Sequence, residues 1–190
     1  MKLRMGKTDC RDNELIETVV SEETKFEGRV FKAVVRDITN PDGSSDKREV
    51  VIHTGGACIL PVDKDLNCYM VRQYRSGVEE VLLEVPAGKI EVGEDPLECA
   101  SREIKEETGY SAGKVESLGY MCATPAYCSE RIHMYLGTEL EYSGTNPDNG
   151  EFLGVHKYPL TDLVAMCDSG EIKDSKTVIC IYKAARRLLK

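Results

Sequence analysis

Residues 95 to 109, Asp-Pro-Leu-Glu-Cys-Ala-Ser-Arg-Glu-Ile-Lys-Glu-Glu-Thr-Gly, constrain this 190-residue chain more than any other stretch. They carry both a start and a stop signal. Asp95 suits the N-cap, Pro96 suits the first helical position, and Glu98 completes a capping box. Gly109 suits the left-handed position just past a last turn. Leu97, Ala100 and Ile104 supply an apolar stripe between them. The spacing predicts a helix over residues 95–108. Glu103, Glu106 and Glu107 then fall at i, i+3 and i+4, on one face. An adverse i,i+4 carboxylate pair costs roughly 0.2–0.5 kcal/mol. Such a cluster is kept most readily where something positive sits on it. Hard divalent cations take oxygen ligands, and Mg²⁺ commonly joins one or two carboxylates to a substrate phosphate. The competing reading is an acidic helix facing water.

A wider window sharpens the pattern. Gly88, Glu94, Arg102, Glu103, Ile104, Glu106, Glu107, Gly109 and Tyr110 stand at fixed intervals: Gly, five residues, Glu, seven residues, Arg-Glu, apolar, any, Glu-Glu, any, Gly, apolar. This resembles the Nudix box at every position, Tyr110 being the loosest fit because an aliphatic residue is commoner there. The resemblance implies an α/β/α sandwich built on a mixed sheet, with a small N-terminal antiparallel β hairpin or sheet. It also implies hydrolysis of a pyrophosphate bond with Mg²⁺ as cofactor and Mn²⁺ as the alternative metal. Glu103, Glu107 and the carbonyl of Ala87 would be ligands, with Glu106 either a further ligand or the catalytic residue that holds a metal-bound water. Arg102 would orient a carboxylate through its bidentate guanidinium, and Glu94 would brace the loop or Arg102.

Segments outside the box resemble the ADP-ribose pyrophosphatase branch. They are Glu84-Val85-Pro86-Ala87-Gly88-Lys89-Ile90-Glu91, the strand Val71-Arg72-Gln73-Tyr74-Arg75, and Asp148-Asn149-Gly150-Glu151-Phe152. Pro125 follows Gly109 at the spacing of ADP-ribose hydrolases, within Thr124–Glu130, where Ala126 replaces a commoner Gly. By this resemblance Arg75 contacts phosphate, Glu130 a ribose hydroxyl, and Glu151 is the general base or a carboxylate of the catalytic loop. A homodimer is implied, with Arg48 reaching the nucleotide from a partner subunit. The simpler alternatives are a surface Arg75 beside Glu79 or Glu80, and solvated loop acids at 130 and 151. The expected substrate is ADP-ribose or another ADP-sugar. The alternatives are another nucleoside diphosphate derivative such as GDP-mannose, or a module that senses ADP-ribose without cutting it.

Composition agrees with a small-molecule enzyme. The formal net charge of -8 argues against a general nucleic-acid or anionic-membrane binder. The eight cysteines form no C-x-x-C pair or zinc spacing, which predicts free thiols in the cytoplasm. No signal peptide or membrane span is expected. Two regions are expected: 1–54, β-rich and dimerising, and 55–190, the hydrolase domain. Residues 1–25 read as polar and frayed. Strands are expected at 28–38, 48–53, 56–62, 68–74, 81–85, 114–121, 131–140 and 152–158. Helices are expected at 161–169 and 175–190, the last with Val178, Ile179, Tyr182, Ala185 and Leu189 inward. His53, His133 and His156 read as packing residues on strands. Gly55-Gly56 reads as a turn without phosphate-loop context.

Overall fold

The computed structural model describes residues 10–144 and 154–189. The chain divides into two compact units. One holds the chain up to His53 together with Thr124–Ser129, and the other holds Thr54–Ala123 and the chain from Glu130 onward.

The first unit opens with a 3₁₀ turn, Cys10–Leu15. A three-stranded antiparallel sheet follows, in the order β1 (Thr18–Glu27), β2 (Lys32–Thr39), β3 (Ser45–Ile52). β1 corrects the expectation of a frayed start and enlarges the expected hairpin. Every residue of β1 is exposed, so it lacks the in–out alternation that marks a half-buried strand. Gly28, Val30 and Phe31 belong to the β1–β2 connection, not to a strand. Thr124–Ser129 attaches here through Val51 N–H to Tyr127 O (2.7 Å) and Ser129 N–H to Val51 O (2.9 Å).

The second unit is built around β4 (Gly56–Pro61), whose six residues are all buried. A central strand covered on both faces needs such a continuous apolar run. Ala57 and Ile59 pack with Cys99, Ala100 and Ile104 of α1 (Pro96–Thr108). Cys58 and Leu60 face the opposite way, toward Cys180, Ile181 and Ala184 of α3 (Ser175–Leu188). β4 pairs antiparallel with the short β7 (Ala87–Lys89) and parallel with β9 (Arg131–Tyr142), which pairs antiparallel with β8 (Tyr110–Cys122). A second sheet has the order β10 (Gly154–Pro159), β5 (Asn67–Arg75), β6 (Glu80–Glu84). α2 (Leu160–Asp168) buries Leu160 and Leu163 in the same core as α3. Among the described residues no helix is long and apolar enough to cross a membrane.

The inward face of α3 differs from the expected one. Thr177, Cys180, Ile181 and Ala184 are buried, together with Lys176. Val178, Ile179, Ala185 and Leu189 are only partly buried at the margin of the same core, and Tyr182 is exposed. Apart from Ile181, the buried positions of α3 carry small or polar residues, so a hydrophobicity count misplaces the stripe. His53 likewise lies just beyond β3 instead of on a strand.

Glu84 is 1% exposed at the end of β6. Both its oxygens accept from Arg75, at 2.7 Å each, and Lys176 Nζ donates to it as well. Burial works against its charged form, but the Arg75 hydrogen bonds and the Lys176 charge outweigh this and hold the carboxyl below its ordinary range. A lowered carboxyl contributes stability that is complete above its unfolded pKa and lost as pH falls through the folded value. Glu84→Ala, which strands two cations, is expected to lose about 3–5 kcal/mol in urea unfolding at neutral pH. The gap to the wild type should narrow in acid, as Glu84 itself becomes protonated.

Candidate active site

α1 starts and stops as its residues direct. The Asp95 side chain accepts from Leu97 N–H at 2.8 Å, and Pro96 opens the helix. Gly109 takes φ 77°, and its N–H reaches Lys105 O at 2.9 Å. The buried face corrects the expected stripe: Leu97 is exposed, and Cys99, Ala100, Glu103, Ile104, Glu107 and Thr108 point inward. Glu103 and Glu107 are 9% and 4% exposed, so the acidic helix does not simply face water.

Both carboxylates lie against the β7 backbone. Glu107 Oε2 accepts from Ala87 N–H at 3.1 Å. The Glu103 carboxylate lies over Gly88, where a Cβ would come within 1.7 Å of Oε1. Only a residue without a side chain leaves room for it there. Arg102 ties the remaining acids together. Its Nη1 donates to Glu103 Oε1 at 2.7 Å and to Glu106 Oε2 at 3.0 Å, and its Nε donates to Glu94 Oε1 at 3.0 Å. The Arg102 hydrogen bond keeps the Glu94 carboxyl below its usual range. Glu94 Oε2 also accepts from Glu91 N–H at 2.9 Å, closing the loop ahead of the helix. Buried Cys99 donates to Lys89 O at 3.5 Å; burial, then the Glu94 and Glu103 charges, push its thiol up to about 12.

Three carboxylates thus gather around the Arg102 guanidinium, and Glu107, one turn on from Glu103, is a fourth acid on the same helix. The surplus is negative, the donors are all oxygen, and two of the acids are largely out of water. That is the donor chemistry of a hard divalent cation. Among the described residues no three acidic, histidine or cysteine groups form a ready-made cage. Arg102 bridges Glu103 and Glu106 instead.

The remaining predicted residues are distributed as follows. Arg75, at the end of β5, is in the same unit, paired with Glu84 and not with Glu79 or Glu80; its side chain is 39% exposed. Glu130 immediately precedes β9 and is half-buried. Arg48, on β3 in the other unit, donates to Glu17 and Asp46 at 2.5 Å each. Within that unit Arg36, Arg48, Pro125 and Tyr127 line a groove of about 450 Å³. Glu151, with Asp148 and Phe152, lies outside the described residues. Glu84 and Lys176 were not singled out from sequence; the pair is separated by 92 positions, and only the Glu84–Glu91 segment gave a local signal.

The NUDIX domain family matches residues 52–178. The ADP-ribose pyrophosphatase of Bacillus subtilis strain 168 is 36% identical over 169 residues, covering 88% of this chain and 91% of its own. The methanol dehydrogenase activator of Bacillus methanolicus is 36% identical over 167 residues, covering 87% and 90%. The GDP-mannose pyrophosphatase of Citrobacter koseri is 31% identical over 164 residues, covering 80% and 85%. A solved ADP compounds hydrolase superposes with a TM-score of 0.80 at 23% identity, covering 92% of this chain and 95% of that one, a likeness of fold.

Proposed function

Because the chain belongs to the Nudix hydrolase family, we propose that it cleaves the pyrophosphate bond of ADP-ribose or a related ADP-sugar, giving AMP and a sugar phosphate. The observation that carries this reading is the burial of Glu103 and Glu107 against Ala87 and Gly88, within the span the family matches. Glu103, Glu106, Glu107 and the Ala87 carbonyl would hold Mg²⁺, with Mn²⁺ as the alternative. When bound, such a cation offsets charge on phosphate oxygens and makes water more acidic.

The chain's own residues do the positioning. Arg102 holds Glu103 and Glu106 at one guanidinium nitrogen, and Glu94 fixes Arg102 from the far side. Glu84 occupies Arg75 Nε and Nη2, leaving the Nη1 edge to donate to a phosphate oxygen. Glu130 would bind a ribose hydroxyl, and Glu151 would accept the proton from attacking water. The N-terminal region, 1–54, would form a homodimer, carrying Arg48 to the partner's nucleotide; the exposed Leu15, Val19, Val20 and Phe26 favour such an interface. The enzyme would act in the cytoplasm.

A guanosine substrate is the second reading, favoured by the 31% identical GDP-mannose pyrophosphatase. The test is a panel of ADP-ribose, other ADP-sugars and GDP-mannose with Mg²⁺ and product identification. Highest kcat/KM on ADP-ribose, with AMP released, is expected. Preferential turnover of GDP-mannose would replace the first reading with the second. Tight ADP-ribose binding without products would indicate a sensor.

A further inference from the structure

The first turn of α3 lies far from the acidic helix in sequence, yet it grips the segment that leads into it. Asp174 caps α3, accepting from Thr177 N–H at 3.0 Å and from Thr177 Oγ1 at 2.5 Å. With its proton committed to Asp174, the Thr177 hydroxyl turns a lone pair to Val85 N–H, 2.9 Å away. Thr177 is fully buried. Two residues beyond Val85, Ala87 N–H holds Glu107 Oε2. Lys176, 8% exposed, donates to Glu84, which grips Arg75 in a two-pronged pair. Lys176 also reaches Asp174 Oδ2 at 3.1 Å. One turn of α3 therefore holds Glu84 and Val85, at the start of the segment whose other end meets Glu107 of α1, and through Glu84 it holds the direction of the Arg75 guanidinium.

We propose that Thr177 and Lys176 are positioning residues of the active site: Thr177 sets the Val85–Gly88 backbone against Glu107, and Lys176 aims Arg75 at the substrate phosphates through Glu84. This rests on the proposed pyrophosphatase reading for the Arg75 arm only. Fold stability alone does not call for the arrangement, because buried ion pairs are commonly replaceable by apolar side chains at no loss. Hydrogen bonds of this kind behind metal-binding carboxylates typically govern 10–100-fold in affinity or activity.

The test uses the full chain and two independent arms. Thr177→Val keeps the shape and removes the acceptor of Val85 N–H. Manganese binding, read by electron paramagnetic resonance, is expected to weaken about tenfold, with kcat/KM for ADP-ribose falling by a similar factor. Thr177→Ser is expected to restore both to within about twofold of the wild type. In the second arm, Lys176→Met should raise KM for ADP-ribose at least about fivefold while kcat stays within about threefold, and Lys176→Arg should recover most of that loss. Circular dichroism checks that each variant is folded at the assay temperature. A folded Thr177→Val with wild-type Mn²⁺ affinity and kcat/KM would overturn the role of Thr177. An unchanged KM in folded Lys176→Met would overturn that of Lys176. If Thr177→Val does not fold, Thr177→Ala takes its place with the same expectations. If the wild type leaves ADP-ribose uncut, the substrate assignment fails, and the Mn²⁺ measurement still decides the Thr177 arm.

Discussion

Gly88→Ala is expected to give a folded protein with at least about 100-fold less hydrolytic activity. The new Cβ would stand 1.7 Å from Glu103 Oε1 and 2.0 Å from its Cδ, so the carboxylate must leave its place. What moves is the end of a flexible side chain, and Gly88 does not use the left-handed region that penalises other residues. The cost to the fold is therefore small. The cost to the chemistry is large, because a displacement of about 1 Å in a reacting constellation costs on the order of 100-fold. Thermal unfolding and ADP-ribose hydrolysis measured on one preparation separate the two effects. A wild-type rate in the variant would show that the place of Glu103 over Gly88 is irrelevant to catalysis.

Glu107→Gln should lower the rate by a similar or larger factor, at least about 100-fold. Glutamine keeps the length of the side chain and an oxygen to accept Ala87 N–H, now 3.1 Å from the carboxylate. The substitution removes charge and little else. Its i,i+4 repulsion with Glu103 also disappears, which favours the helix by roughly 0.2–0.5 kcal/mol. Activity and stability should therefore move in opposite directions, a result that loss of folding cannot mimic. Full activity in the glutamine variant would remove Glu107 from the machinery.

The helix at the centre of the site was legible because its signals are local. Asp95, Pro96 and Gly109 mark its ends, and the spacing of the acids is a property of any helix. Its orientation was less legible. Counting apolar residues points Leu97 inward, whereas the acids at 103 and 107 occupy the buried face. A buried carboxylate runs against hydrophobic patterning, and only the motif as a whole signals it. β4 was readable from its unbroken apolar run; β1, exposed along its full length, carried no such contrast. The three-residue β7 is too short for any periodicity, although it supplies the backbone to which both acids are fitted. Arg75 shows the remaining limit. Acids at 79 and 80 are its neighbours in sequence, and the β5–β6 register sets it opposite Glu80, yet its guanidinium reaches along the sheet to Glu84, which stands opposite Val71. The third member of that group, Lys176, comes from a helix 92 positions beyond Glu84. Register and helix docking are set by the whole core, so long-range ion pairs of this kind leave no trace in local sequence.

The most direct measurement is the initial rate of ADP-ribose hydrolysis by the full chain as Mg²⁺ is titrated, chelated and restored, with products identified. Saturable dependence on Mg²⁺ is expected, with AMP and ribose 5-phosphate formed together and the rate abolished by chelation and recovered on re-addition. Undiminished hydrolysis after complete chelation, or no AMP at any Mg²⁺ concentration, would contradict the assignment of the α1 carboxylates to metal-dependent cleavage of ADP-ribose.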